Sequence, residues 1–517
     1  MYLKFSLALV VLLLVPFVFL NAKGKVKVEW RETLHKNGKV KQKFTVAIDS
    51  KGREIRYGEY FEFYDTGKKM IVGEYKDGDR QDRWSWYFDN GNLEQTGFYE
   101  AGVQWNKWKT WHRNGEEASE GKFADGKRHK DWLYSHPNGK KRLKIIYELG
   151  VKEGKQTGWH LNGNKESEGK FKKNKRDGKW YWWHENKQTR VEGKFDNGVK
   201  EGKWQRWFEN SQLEEMHQYR GEERTGTWQG WFENGVLRFE GKGINDSRAE
   251  KWIYYFESGT VERKGLYEAG VKVGTWEFWH ENGARKESGE FLEGNRQGQW
   301  VAYHDNGKRA RQGGFEEGYR TGAWTTWHIS GKKDLVTTYV ESAAHGSWTR
   351  YHDNGKLAVQ GTYADGYRDG VWKFYHSNGG LSEQGSFVDA AKQGVWKSWH
   401  FNGSLESVVK YEEGDVLGKS YFWYDNGQPR LFSEYDGFKR SGGWTWYHRN
   451  GKPSVTCTFK ENWQEGWYRE FNEKGEEIFK QYYEEGYEVE APEEEEPENT
   501  PEEKPEDDSK EPDGDKE

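Results

Sequence analysis

GTWEFWHENGARKESGEFLEGNRQ, residues 274–297, decides the fold. The same pattern restarts at Gly298 as GQWVAYHDNGKRARQGGFEEGYRT and at Gly322 as GAWTTWHISGKKDLVTTYVESAAH. Counted from the first Trp of each copy, the anchors recur every 24 residues from Tyr60 to Tyr468, 18 copies without a slip. A fixed period of this size marks a tandem array, each copy one supersecondary unit. The Trp anchors are Trp84, Trp108, Trp132, Trp180, Trp204, Trp228, Trp252, Trp276, Trp300, Trp324, Trp348, Trp372, Trp396 and Trp444.

An Asn-Gly pair follows most anchors by six and seven residues, as in Asn90-Gly91, Asn282-Gly283 and Asn426-Gly427. Between aromatic and β-branched residues this pair predicts a hairpin closed by a type I′ turn, which needs positive φ at both central residues. The anchor then faces the residue thirteen positions on, so Trp276 is set against Gly289, and Phe291 faces Gly274. On this reading a ring covers the backbone that its facing glycine leaves bare. Alternation along the strand puts Trp276, His280 and Phe291 on one face and Trp279 on the other. A second loop, Glu293-Gly294, leads into the next hairpin.

G-x-W-x-x-[WY]-x-x-N-G followed by G-x-[FY]-x-x-G resembles the MORN repeat variant, the form found in YwqK-type "antitoxin" proteins. The resemblance runs over about residues 58–486. It implies an elongated, single-layer antiparallel sheet with one hairpin per repeat, and it brings no catalytic motif. The expected fold is therefore all-β: a twisted single-layer sheet of about 18 tandem 24-residue hairpins. At about 9.6 Å per hairpin such a ribbon would be roughly 170 Å long and could not stay flat.

Composition agrees. With 33% hydrophobic residues and three Met there is no thick aliphatic core, while 30 Trp and 17% aromatic content exclude general disorder. The single Cys457 excludes an intrachain disulfide and stands where other copies carry Gly, a small residue expected beneath a ring. The net charge of −5 is divided: residues 484–517 hold 18 acidic and 3 basic residues, and the remainder carries a net +10.

Four segments follow. Residues 1–22 carry a 16-residue apolar run from Phe5 to Leu20, interrupted by Pro16 and too short for an ordinary span; they read as a signal peptide or an N-terminal anchor. Residues 23–57 hold a degenerate copy (Leu34, His35, Asn37, Gly38) and the strand KFTVAI at Lys43–Ile48, read as a cap on the first edge. Residues 58–487 are the array. Its weak copies at Gln156, Ser420 and Tyr468 are expected to remain hairpins, the first two beside Trp159 and Trp423. Residues 488–517, rich in Pro and acidic side chains, read as a disordered tail.

Eleven of the fifteen His fall at one phase, among them His112, His160, His280, His328, His376 and His448. Ligands of one ion lie about 2 Å from it, whereas these rungs should be nearly 10 Å apart. The same phase accepts Phe88, Phe208, Phe232 and Phe256, so it asks for a flat ring. Carboxylates beside the turns (Glu233, Glu281, Asp305, Asp353) recur once per repeat and should be solvated. No catalytic set rises above the periodic background, and neither a cofactor nor a metal is expected. The reading is a non-enzymatic, exported repeat protein (periplasmic, extracellular or anchored by residues 5–20) whose aromatic surface binds or scaffolds a protein partner. An anionic membrane surface is the alternative ligand for a basic body, and the family label implies a third role, neutralising a toxin. Nucleic acid is not expected for an exported chain.

Overall fold

Alternating ring and polar residues without helical periodicity leave strands as the economical solution, and strands are what forms. The computed structural model describes residues 17–21 and 24–492, and every regular element among them is a β-strand. The strands divide into two units, one running to Arg296 and one from Gln297. Within each, consecutive strands pair antiparallel in chain order, as an open meander of hairpins. The hairpins expected at the weak copies form: Val151–Trp159 pairs with Lys165–Lys172, and Gly418–Trp423 with Pro429–Asp436. The capping strand is Val40–Ile48, set between Gly24–Leu34 and Glu54–Phe63. Phe17–Asn21, inside the stretch read as an export signal, pairs with the start of Gly24–Leu34. Residues 1–16 and 22 of that stretch, and residues 493–517 of the acidic tail, lie outside the described residues.

The Asn-Gly turn is not type I′. Gly91 N–H donates to the Phe88 carbonyl at 2.8 Å and Phe88 N–H to the Asn92 carbonyl at 2.8 Å, closing a three-residue loop. Only Gly91 has positive φ (+95°); Asn90 does not. This is a type I turn ending in a left-handed glycine. Its pairing, Tyr87 with Leu93, would be one residue out of step with Trp84 against Gly97. A bulge at Glu94, between Trp86–Gln95 and Tyr87–Leu93, restores the expected register. The Asn is chosen for its side chain. Asn90 Oδ1 accepts from Asn92 N–H at 2.9 Å, while Nδ2 donates to the Arg113 carbonyl in the next turn at 2.9 Å. Repeated copy after copy, this amide ties neighbouring turns together.

Type I′ geometry belongs to the other loop. Asp77 and Gly78 (φ +55° and +91°) and Glu293 and Gly294 (+50° and +84°) both show it. Where the glycine comes first, as at Gly221 and Gly437, positive φ is confined to that residue, the type II′ pattern. Ser211 occupies the left-handed Asn-Gly position with φ +72°. An L side chain there costs about 1 kcal/mol, so Ser211→Gly should stabilise its hairpin by about that amount, read as slower amide exchange in Trp207–Leu213.

Between hairpins the register breaks differently. Val72 pairs with Ser85 but Glu74 pairs with Gln81, so the anchor strand carries two extra residues around Trp84. The bulge turns on a left-handed residue two before the anchor, Asp82 here (φ +55°) and Gly274 (+61°) or Gly322 (+63°) elsewhere. That is the reason for the recurring glycine at this phase. It faces Phe291 as expected, but its role is conformational.

Candidate binding faces of the repeat array

The bulge swings each anchor ring back across the strand boundary. Trp180 shows the resulting packing. Its indole lies on Gly169, eleven residues earlier, so closely that a Cβ there would fall inside the ring. Nε1 donates to the Lys170 carbonyl at 3.1 Å, beside the interrupted ladder. Phe171 meets the ring edge-on at 5.2 Å between centroids and Trp182 stacks at 5.6 Å. At least ten glycines among the described residues, from Gly73 to Gly385, lie beneath the anchor eleven positions on in this way. The expectation that a ring covers the glycine thirteen on is therefore corrected. Gly97 pairs through its backbone with Trp84, yet the ring upon it is Trp108. Trp276 likewise pairs with Gly289 but lies on Gly265.

Of the anchors, Trp84, Trp108, Trp132, Trp180, Trp204, Trp228, Trp252, Trp276, Trp300, Trp324, Trp372, Trp396 and Trp444 are buried. Trp348 is half-buried, and Thr337 occupies its glycine position. Ser433, eleven residues before Trp444, is fully buried. Where an anchor is not Trp, the residue eleven earlier has grown: Ile145 before Gln156, Val409 before Ser420, Cys457 before Tyr468. All three are buried. Trp228 breaks the rule by moving. His217 holds its glycine position, and Trp228 lies instead on Gly243, with its Nε1 unpartnered and its ring edge-on to His217 at 5.7 Å.

Burial pushes the Cys457 thiol up to about 11. The neutral thiol suits the fold, so its contribution is intact below the ordinary thiol range and is lost as pH rises through about 11. Native protein at pH 8 should accordingly resist alkylation of Cys457, and mild denaturant should expose it; rapid labelling without denaturant would contradict this burial.

The aromatic face also holds a feature that the sequence reading passed over. Four residues before most anchors stands Arg or Lys, and the structure lays that cation over the rings. Arg80 sits 4.5 Å from the Trp84 centroid, Arg176 4.8 Å from Trp180, Lys272 4.5 Å from Trp276 and Arg368 4.7 Å from Trp372. The signal was a basic residue at one phase of the period, hidden because charges abound at others.

The opposite face carries a second ring in most repeats, three after the anchor: Trp111, Trp159, Trp183, Trp207, Trp231 and Trp279 are all half-buried. Lys165 lies over Trp183 at 5.6 Å and Lys264 over Trp279 at 4.8 Å. Around these rings charges alternate, as in Lys109 between Glu117 and Glu120.

The histidine row is a stitch between repeats. His112 Nε2 bonds the Ser135 carbonyl at 3.0 Å, His136 the Trp159 carbonyl at 2.9 Å and His400 the Trp423 carbonyl at 2.9 Å. A carbonyl only accepts, so Nε2 carries the proton. Tyr64 and Tyr424 place a hydroxyl in the same bond, whereas Phe88, Phe208, Phe232 and Phe256 keep the flat ring without a donor. No group of three or more His, Cys, Asp or Glu that could hold a metal occurs among the described residues. Glu233, Glu281, Asp305 and Asp353 are exposed, Asp353 within 2.7 Å of His328 Nδ1.

No curated protein matches this chain. Among solved structures, TcdB2-TccC3-TEV matches with 10% identity over 89% of this chain and 32% of its own, at a TM-score of 0.14. TcdB2-TccC3 without its hypervariable C-terminal region follows, with 8% identity over 89% and 31% and a TM-score of 0.13. This chain spans about a third of those chains, and TM-scores of this size carry no argument. The family model "MORN repeat variant" matches residues 56–77, 83–101, 176–197, 200–220, 224–245, 344–365, 368–389, 392–413 and 441–461. Nine such matches, in phase with its hairpins, identify repeats of the MORN-variant type at nine positions along this chain.

Proposed function

We propose that this protein is an exported, non-enzymatic scaffold that holds a protein partner along the face opposite its packed anchors. One observation carries the reading. The anchor rings are consumed in joining each hairpin to the one before it, whereas the second row, Trp111 to Trp279, stays half-buried with charges of both signs around it. Rings with one wet edge, rimmed by mixed charge, are the composition of protein-binding surfaces. MORN repeats are in general non-catalytic, which agrees.

Full-length protein and a variant carrying Trp183→Ser, Trp207→Ser and Trp231→Ser should be compared as baits in envelope extracts. The reading expects a stoichiometric partner retained by the parent and lost by the variant, with strand content unchanged. Equal retention by both would place the interaction elsewhere. Co-sedimentation with anionic vesicles at low and high salt distinguishes the membrane alternative, which expects salt-sensitive binding that these neutral substitutions leave intact.

A further inference from the structure

The cations on the aromatic face of the first unit form an unbroken row: Arg128, Lys152, Arg176, Lys200, Arg224, Arg248, Lys272 and Arg296, one per repeat over eight consecutive repeats. Those from Arg128 to Lys272 lie against aromatic rings, at 4.8 Å for Arg128 on Trp132, 5.1 Å for Lys152 on Phe171, 4.5 Å for Lys200 on Tyr219 and 5.1 Å for Arg248 on Trp252. Among the described residues Arg224 has a carboxylate within ion-pair distance, Asp246 at 2.8 Å, and Arg296 has Glu287; no ion pair joins the other six to a carboxylate. Glu215 is taken by Arg206, His217 and Arg238, and Glu287, whose charge favours the Lys272 ammonium, is ion-paired with Arg296. Burial holds Arg176 and Lys272 below their usual values, and repulsion from Arg263, Arg296 and Arg248 adds to it at Lys272.

A row of like charges with few counter-ions is costly, and the cost is greater where rings and backbone displace water. The cations lie on a line one residue wide, with a step of about 9.6 Å between hairpins. A twisted line of this kind suits an extended chain better than a flat bilayer, which would meet few rungs at once. A proline-rich chain in the polyproline II form rises about 3.1 Å per residue with three residues per turn, so every third side chain returns to one side after about 9.3 Å. Residues 493–517 have that composition, with Glu493, Glu496, Glu502, Asp508 and Glu511 all in one three-residue register.

We propose that the cation row of the first unit is a docking surface for an acidic, proline-rich peptide, and that its occupant is the C-terminal segment 493–517 of a second copy of this chain. The segment follows Tyr487–Val489, the last strand of the second unit. Its own relaxed span is about 25–30 Å. In a second copy it can meet the row without being tethered to it through residues 297–492. The opposite face and its partner play no part in this contact.

The test uses full-length protein and a labelled synthetic peptide of residues 490–517. At low salt the peptide should bind, and Arg128→Gln, Arg176→Gln and Arg248→Gln together should weaken it by at least about tenfold. Lys155→Gln, Lys179→Gln and Lys203→Gln, which remove the same charge from the other face, should change it by less than about twofold. Carbodiimide coupling to the unaltered protein gives a readout independent of folding. Its cross-links should fall on Lys152, Lys200 and Lys272, not on Lys155, Lys179 and Lys203. In sedimentation the full chain should self-associate at low salt and be returned to monomer by free peptide. Equal loss in both triple variants, or cross-links on the other face, would overturn the docking surface. A chain that stays monomeric at every concentration would overturn the second copy as occupant. Anionic vesicles that bind through the row when the peptide does not would assign the row to a membrane instead.

Discussion

Trp180→Ala is expected to destabilise its hairpin by about 3–5 kcal/mol, the range for a fully buried ring. The ring is fully buried and combines a backbone hydrogen bond, two aromatic neighbours and the Arg176 guanidinium. The damage should be local, because a hairpin in such an array touches only its neighbours. Amide exchange should accelerate in Lys165–Lys172, Lys175–Trp183 and Thr189–Asp196, and remain as in the parent in Leu237–Ile244 and beyond. Uniform acceleration across the unit would mean one cooperative core.

Gly361→Ala should be almost as damaging, although it adds a single methyl. The new Cβ would lie within the indole of Trp372, itself fully buried against Phe374, Phe387 and Tyr363. Overpacking of this kind costs about 1–3 kcal/mol, and more if the ring is expelled to water. Thr337 shows the milder outcome already present in the chain: Trp348 above it is half-buried, and rests against Trp372 at 5.6 Å. Indole fluorescence should shift to the red in Gly361→Ala; an unchanged spectrum with unchanged stability would refute the contact.

Much of this was legible beforehand. The 24-residue period, the hairpins and the pairing of Trp276 with Gly289 all follow from residue spacing. The direction of the ring does not, and the reason is arithmetical. Thirteen residues after one anchor is eleven before the next, so Gly97 belongs equally to Trp84 and Trp108 when only the period is considered. The irregular copies resolve it. Trp132 keeps its ring although Ile145 stands thirteen on, whereas Gln156, eleven after Ile145, has no ring at all. The Asn-Gly turn misled for a different reason: type I′, and type I with a bulge at Glu94, arrive at the same register. Only φ at Asn90 separates them, and what the Asn contributes is a bond to the next turn, 23 residues away. The cation row escaped because a charged side chain on a strand is ordinarily solvent-facing, and its place over a ring depends on the bulge.

The central claim is that an anchor ring with a glycine eleven residues before it binds its hairpin to that glycine of the preceding one. Two double-mutant cycles sharing Gly97→Ala test it, one with Trp108→Ala and one with Trp84→Ala, read as local opening free energies by native-state hydrogen exchange. The account predicts coupling of about 1–3 kcal/mol between Gly97 and Trp108 and less than about 0.5 kcal/mol between Gly97 and Trp84. Strong coupling to Trp84 with none to Trp108 would contradict it.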